Sequence, residues 1–417
     1  MRGPIRGIVP LLGRISDHDQ LLQLIGDSRL VLIGTSTHGT REFHRLRVAI
    51  TKRLLTERGF NAVCIQGEWP ASERVNQYVH GASTEVDAAT ALDGFRHFPN
   101  WLWRNTEVVE FVHWLRQYND RCGVQGQPKT GFYGLDLFGF SASIEAAVRS
   151  LNEIDPVIAV RARKRYQTPT RDNVLAELIE IQRQAARFES RDDLPELYFS
   201  AEQNARVVAN AEQYFSAALE SATVAWNLRE MHMHYTLDRI SRHVAARNGS
   251  ARVVAWLHNA HAGNAQATSL AQAGRLTVGG LLRRRYGKAV ILVALMTYKG
   301  SVMAAADWHL PGEATKLRPA RTDTFEYGCH AIEEPRFFLS LRGLSDDDST
   351  FPLTAHERLV GVVYSRAGEA ERPLIFARVP DQFDALYFVD SSHAVEPLET
   401  AVTWEDGEPP PTYPTGL

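Results

Sequence analysis

His38 stands in a glycine-flanked turn, "GTSTHGT", after the apolar run "LVLIG"; His258 and His261 follow a second apolar run in "VVAWLHNAH". Imidazole changes charge near neutral pH, so these three side chains suit proton transfer to and from a reacting group. Arg47 lies four residues after Phe43 and three before Ile50, which puts it on the apolar face of a helix that follows His38. A guanidinium aimed inward there can hold a substrate carboxylate or hydroxyl, or stabilise a developing oxyanion. The structural alternative is a side chain that snorkels past the helix to water. His258 and His261 have the spacing of paired metal ligands on a helix, but no third ligand, HExxH or CxxC accompanies them. No metal and no other cofactor is expected.

The elements that must position these residues are short apolar runs separated by a helix-like stretch. Leu30 to Gly34, Ala62 to Gln66, Gly131 to Phe138, Ala251 to His258 and Ala289 to Tyr298 read as buried strands. Gly39 or Thr40 to Arg58 reads as a helix closed by Gly59. Strand, helix and strand in close succession make a βαβ unit with parallel neighbours. The fold class is therefore α/β, a mostly parallel sheet flanked by helices.

Ligands of such sheets sit beyond the carboxyl ends of the strands. Thr35, Gln66, Glu68, Asp136 and Tyr298 fall at those ends and are candidates for binding substrate, beside His38, His258 and His261. Trp101 and Trp103, in "FRHFPNWLWRN", can wall a cleft for a bulky apolar ligand or simply pack helices together. Glu42, four residues after His38, reaches that ring only if the helix starts early; otherwise it is a solvated surface residue.

Long helical periodicity between Ser141 and about His243 marks a helical insertion, 141–245. It divides the α/β core into 1–140 and 246–403, and the proline-rich 404–417 reads as a flexible tail. A net charge of −3 and a pI near 6.6 give no broad reason to expect nucleic acid or an anionic membrane. The longest apolar run, "AVILVALM", suits a buried strand rather than a bilayer span. Three scattered cysteines argue against a disulfide framework and fit the reducing cytosol. The expected partner is a small-molecule or peptide substrate, and oligomeric state is not legible.

The stretches "GTSTHGTREF", "GFNAVCIQGEWP", "YGLDLFGFSASIEAAV", "NLREMHM", "VVAWLHNAHAGNA", "TYKGSVMAAADW" and "VPDQFDALYFVD" together resemble the erythromycin esterase family over nearly the whole chain. That resemblance implies a cytoplasmic α/β protein with a large helical portion that hydrolyses the lactone ester of macrolide antibiotics without a metal. It implies that His38 is a general base on water, that Arg47 matches the family's arginine, and that His258 and His261 bind or polarise substrate. Two positions depart from the pattern. Thr35 stands where the family has the glutamate of Gly-Glu-x-Thr-His-Gly, and Gln66 where the second strand ends in a glutamate.

Both replacements remove charge. A carboxylate beside a histidine fixes its tautomer and stabilises the imidazolium, and neutralising one in a protease triad costs about four orders of magnitude in turnover. Three readings follow. The chain is a hydrolase in which Glu68 or Glu42 replaces the missing acid. It is a natural-product tailoring enzyme that uses the same cleft for elimination, cyclisation or transfer. Or it is a binding protein with a dead site. Retention of His38, Arg47, His258 and His261 weighs against the last. A resistance role and a biosynthetic role both remain open.

Overall fold

The computed structural model describes residues 8–154, 156–166, 194–308, 310–345, 352–365, 374–399, 412–413 and 415–417. The strands are β1 (Ile8–Pro10), β2 (Leu30–Thr35), β3 (Ala62–Glu68), β4 (Gly131–Asp136), β5 (Val253–His258), β6 (Val290–Ala305), β7 (Gly312–Leu317), β8 (Arg336–Ser340), β9 (Thr354–Glu357), β10 (Ile375–Arg378) and β11 (Ala385–Ser392). Among the described residues they form a nine-stranded sheet, in the order β1-β8-β11-β6-β2-β5-β3-β4 with β7 extending β6, and a separate β9–β10 pair. The run from β11 to β4 is parallel, and β8 and β1 close one edge antiparallel. The architecture is the α/β fold expected from the apolar runs.

Two details differ. β2 and β3 are parallel but not neighbours, because β5 lies between them and pairs with both. The helix joining β2 to β3, Arg41–Arg58, carries the chain over two strand spacings, and β5 fills the slot much later in the sequence. Gly59, at φ +65°, ends that helix in the left-handed conformation that a residue without Cβ adopts freely. β6 also runs well past Tyr298, to Ala305, because it continues into a hairpin with β7.

Side-chain alternation assigns each strand residue to a face. Val31 and Ile33 of β2, Val254 and Trp256 of β5 and Ile291, Val293 and Leu295 of β6 join the apolar cluster under the helices Arg41–Arg58 and Thr106–Val124. Leu32, Val253, Ala255, Leu257 and Leu292 join the cluster on the other face, which takes Met233, Leu237, Ile240 and Val244 from the helix Ala222–Asn248. That helix follows Phe140–Ile154, Pro156–Tyr166 and Leu194–Ala218 between β4 and β5. No helix among the described residues is long and apolar enough to cross a membrane.

The loop after β5 is braced from behind by Gln382. Its backbone carbonyl accepts from Asn264 N, and its amide donates to Glu357 Oε2 at 3.1 Å. Glu357 and Glu326 are both fully buried. Burial, and then the charge of Glu326, push the Glu357 carboxyl up to about 8. The folded chain thus keeps a proton that the unfolded chain releases above the ordinary value of 4.5, so this group's contribution to stability is lost as pH rises from about 4.5 to about 8. Glu357→Gln removes that loss. The fall in Tm between pH 5 and pH 8, followed by circular dichroism, is expected to be smaller in the variant by about 2 °C or more.

Candidate functional site

The register of the central strands places Thr35 beside His258 at the carboxyl ends of β2 and β5. Thr35 continues the Val31–Ile33 face, which the helix Arg41–Arg58 covers, and Arg47 on that helix reaches it. Arg47 Nη2 donates to Thr35 Oγ1 at 3.1 Å and to the Leu257 carbonyl, and the guanidinium lies 6.0 Å from the centre of the Trp256 ring. Arg47 does not snorkel; it is 2 % exposed. Burial pushes its pKa down to about 9, so it still carries its charge at neutral pH. No carboxylate among the described residues pairs with it.

Three imidazoles surround this point. The rings of His38 and His258 lie 4.7 Å apart. His261 follows on the one-turn helix Asn259–Ala262 that starts at the end of β5. All three rings are buried, and the Nε2 atom of each lacks a hydrogen-bond partner. Burial, and then the neighbouring His258, Arg47 and His261, hold the His38 imidazole well below its ordinary 6.5. His258 is held down by burial and by His261 and Arg47. His258 Nδ1 accepts from the Ala260 amide at 3.2 Å, so a neutral ring carries its proton on Nε2. Among the described residues no group of three or more His, Cys, Asp or Glu has the arrangement to hold a metal ion.

His261 differs from the other two because Glu230 meets it. Glu230 Oε1 accepts from His261 Nδ1, while Glu230 Oε2 accepts from the Val278 amide at 2.7 Å. Both side chains are fully buried. Trp226 stacks on the imidazole at 4.9 Å between centroids. Next to Glu230, Arg229 forms a two-point ion pair with Asp136, at 3.0 and 2.7 Å, and donates to the Leu417 carbonyl at 2.6 Å. Burial alone would raise the Asp136 carboxyl, but the guanidinium outweighs it and holds the group below its ordinary range.

The remaining expected residues divide between the site and elsewhere. Gln66 Oε1 accepts from His258 N at 2.8 Å, which ties β3 to the β5 end. Gln66, Glu68, Trp103 and Asp136 line one small pocket of about 30 Å³, together with Phe138 and Thr412. That is room for about two waters. Trp101 belongs to the core, where its indole leaves no space for a side chain at Gly312. Tyr298 stacks on His330 at 3.8 Å, and none of the described contacts joins its ring to the histidines. Glu42 binds the His393 backbone at 2.8 Å and its ring at 2.7 Å, so it does not act on His38. Of the expected flexible tail, 412–413 and 415–417 are described, and Thr412 and Gly416 pack tightly.

Glu230 and Arg229 were not among the residues expected from sequence. A signal was present. Trp226, Glu230, Met233 and Leu237 recur at helical spacing on one inward stripe, the same pattern that exposed Arg47.

Parallel strand ends bearing two buried guanidiniums, three imidazoles and two carboxylates mark an α/β protein with a cluster of titratable groups at the carboxyl end of its sheet. The erythromycin esterase family model matches residues 55–392, and the chain belongs to that family. The match begins beyond His38 and Arg47. Erythromycin esterase type II of Escherichia coli is 26% identical over 121 residues, a stretch of 29% of this chain and 26% of that enzyme. The chain therefore aligns with only about a quarter of that relative's length. Among solved structures, a Bacillus cereus protein superposes with a TM-score of 0.72 at 15% identity, covering 94% of this chain and 97% of its own. A succinoglycan biosynthesis protein gives 0.71 at 16%, covering 94% and 96%. A histidine-to-asparagine mutant of the erythromycin esterase EreC, in its open conformation, gives 0.60 at 14%, covering 91% and 94%. These three likenesses show the fold.

The Asp136–Arg229 pair is 4 % and 2 % exposed. Removing one partner strands the other charge in the interior, at a cost of about 3–5 kcal/mol. Asp136→Asn is expected to lower unfolding stability by about that amount in urea titration. Asp136→Asn combined with Arg229→Met is expected to recover much of it.

Proposed function

We propose that the chain is an ester hydrolase acting on a bulky natural product or peptide, with proton transfer at the imidazole cluster. The observation that carries this reading is the Glu230–His261 contact at the mouth of β5. Glu230 holds the proton on Nδ1 and leaves Nε2, which has no other partner, to take a proton from water. Burial and positive neighbours oppose protonation of His38. With Arg47 and the Nε2–H of His258, it serves the side where negative charge develops on the carbonyl oxygen. Thr35 orients Arg47 and Gln66 orients the His258 backbone. Family membership supports the esterase class, and three buried, unpaired cysteines fit a cytoplasmic protein.

The small pocket beside Gln66 does not admit such a substrate as it stands. Binding of such a substrate therefore requires this cleft to widen. A second reading, non-hydrolytic tailoring in the same cleft, is favoured by the neutral Thr35 and Gln66, since neither supplies charge to help His38 activate water.

Incubation with a macrolide panel in oxygen-18 water separates them. Hydrolysis places label in the product; an unlabelled isomer or loss of water supports the second reading. Under the first reading, Glu230→Gln lowers turnover by about 10⁴. Loss of turnover in His38→Asn with full activity in His261→Asn would reverse the roles given to the two rings.

A further inference from the structure

Among the described residues, Arg47 is the cation in this site that has no counter-charge. Asp136 answers Arg229, and Glu230 is engaged by His261 and the Val278 amide. Arg47 has only neutral acceptors, the Thr35 hydroxyl and the Leu257 carbonyl, and its Nε–H points to no partner.

The unpartnered atoms nearby are mainly donors. Gln66 spends its oxygen on the His258 amide, so its NH₂ group, buried and without an acceptor, faces away from that bond. Ser36 Oγ, one residue after Thr35, is likewise buried and unpartnered. Ser36 lies one residue beyond the Thr35–His258 pairing, and Gln66 is tied to His258 N, so these donors and Arg47 belong to one end of the sheet. Asn259 Oδ1 is an unpartnered acceptor beside Gly34. A buried donor is costly until an acceptor meets it, and a buried cation more so.

We propose that the substrate of this site carries an anionic oxygen group, a carboxylate or a phosphate, that seats on Arg47 with the Gln66 amide and the Ser36 hydroxyl. The proposal rests on the reading of this cleft as the substrate site and names the chemistry its substrate must bring. The negative charge that Arg47 lacks among its neighbours then arrives with the ligand, and a guanidinium is suited to hold its oxygens by charge-assisted hydrogen bonds.

The test is binding of inorganic phosphate and of acetate to the full chain, by calorimetry and by the shift in Tm, at ionic strength held constant with sodium chloride. Acetamide is the neutral control. One anion is expected to bind saturably and raise Tm, and the preferred one identifies the group as phosphate or carboxylate. Arg47→Met is expected to weaken that binding at least tenfold. Thr35→Glu, which keeps Arg47 and gives it an internal partner, is expected to weaken it similarly, so the outcome does not hang on one variant folding. Equal response to chloride alone, to acetamide, or in a folded Thr35→Glu protein overturns the proposal. Anion binding without ester hydrolysis would defeat the hydrolase reading and leave this one standing; hydrolysis of neutral esters without anion binding would do the reverse.

Discussion

The hydrogen bond between Glu230 and His261 is the contact on which the rest of the site depends. It joins the helix Ala222–Asn248, which bears Glu230, to the short helix beyond the end of β5, which bears His261. The helix reaches that point because its stripe of Met233, Leu237, Ile240 and Val244 is buried against one face of the sheet. Apolar packing along about three turns thus sets the position of one carboxylate at the strand ends. Two fully buried polar groups tolerate little displacement, since either left alone would be unsatisfied.

On the opposite face the same logic delivers a charge of opposite sign. Phe43, Ile50 and Leu54 seat the helix Arg41–Arg58 on the sheet, and Arg47 from their face arrives beside Thr35. The sheet edge therefore separates an acid-held imidazole from a cation with neutral neighbours. Burial first, and then these positive neighbours, whose fields are stronger in a dry interior than in water, hold His38 and His258 below their ordinary range. A site arranged this way has its polarity built in before any substrate enters.

Much of the frame was legible in the sequence. Continuous apolar runs named the parallel strands, and 3.6-residue spacing exposed Arg47, because both follow from burial on fixed faces. Strand order was not legible: β5 inserts between β2 and β3 through pairings more than a hundred residues apart, and local pattern carries no trace of them. Tyr298 looked like a strand-end residue because its run of apolar residues stops there, yet backbone pairing with β7 carries the strand on to Ala305. Trp101 and Trp103, alike in sequence, part company because only one of them lies at the pocket beside Gln66. Glu230 lies on the inward stripe of its helix as Arg47 does on its own, and the same 3.6-residue spacing carries both.

The account stands most directly on the tautomer of one ring, which long-range proton–nitrogen correlation spectroscopy of nitrogen-15-labelled protein reads without knowledge of the substrate. Assigned by comparison with Glu230→Gln, the neutral His261 ring is predicted to carry its proton on Nδ1, toward Glu230. A neutral His261 protonated at Nε2, with Nδ1 bare toward Glu230, would contradict it.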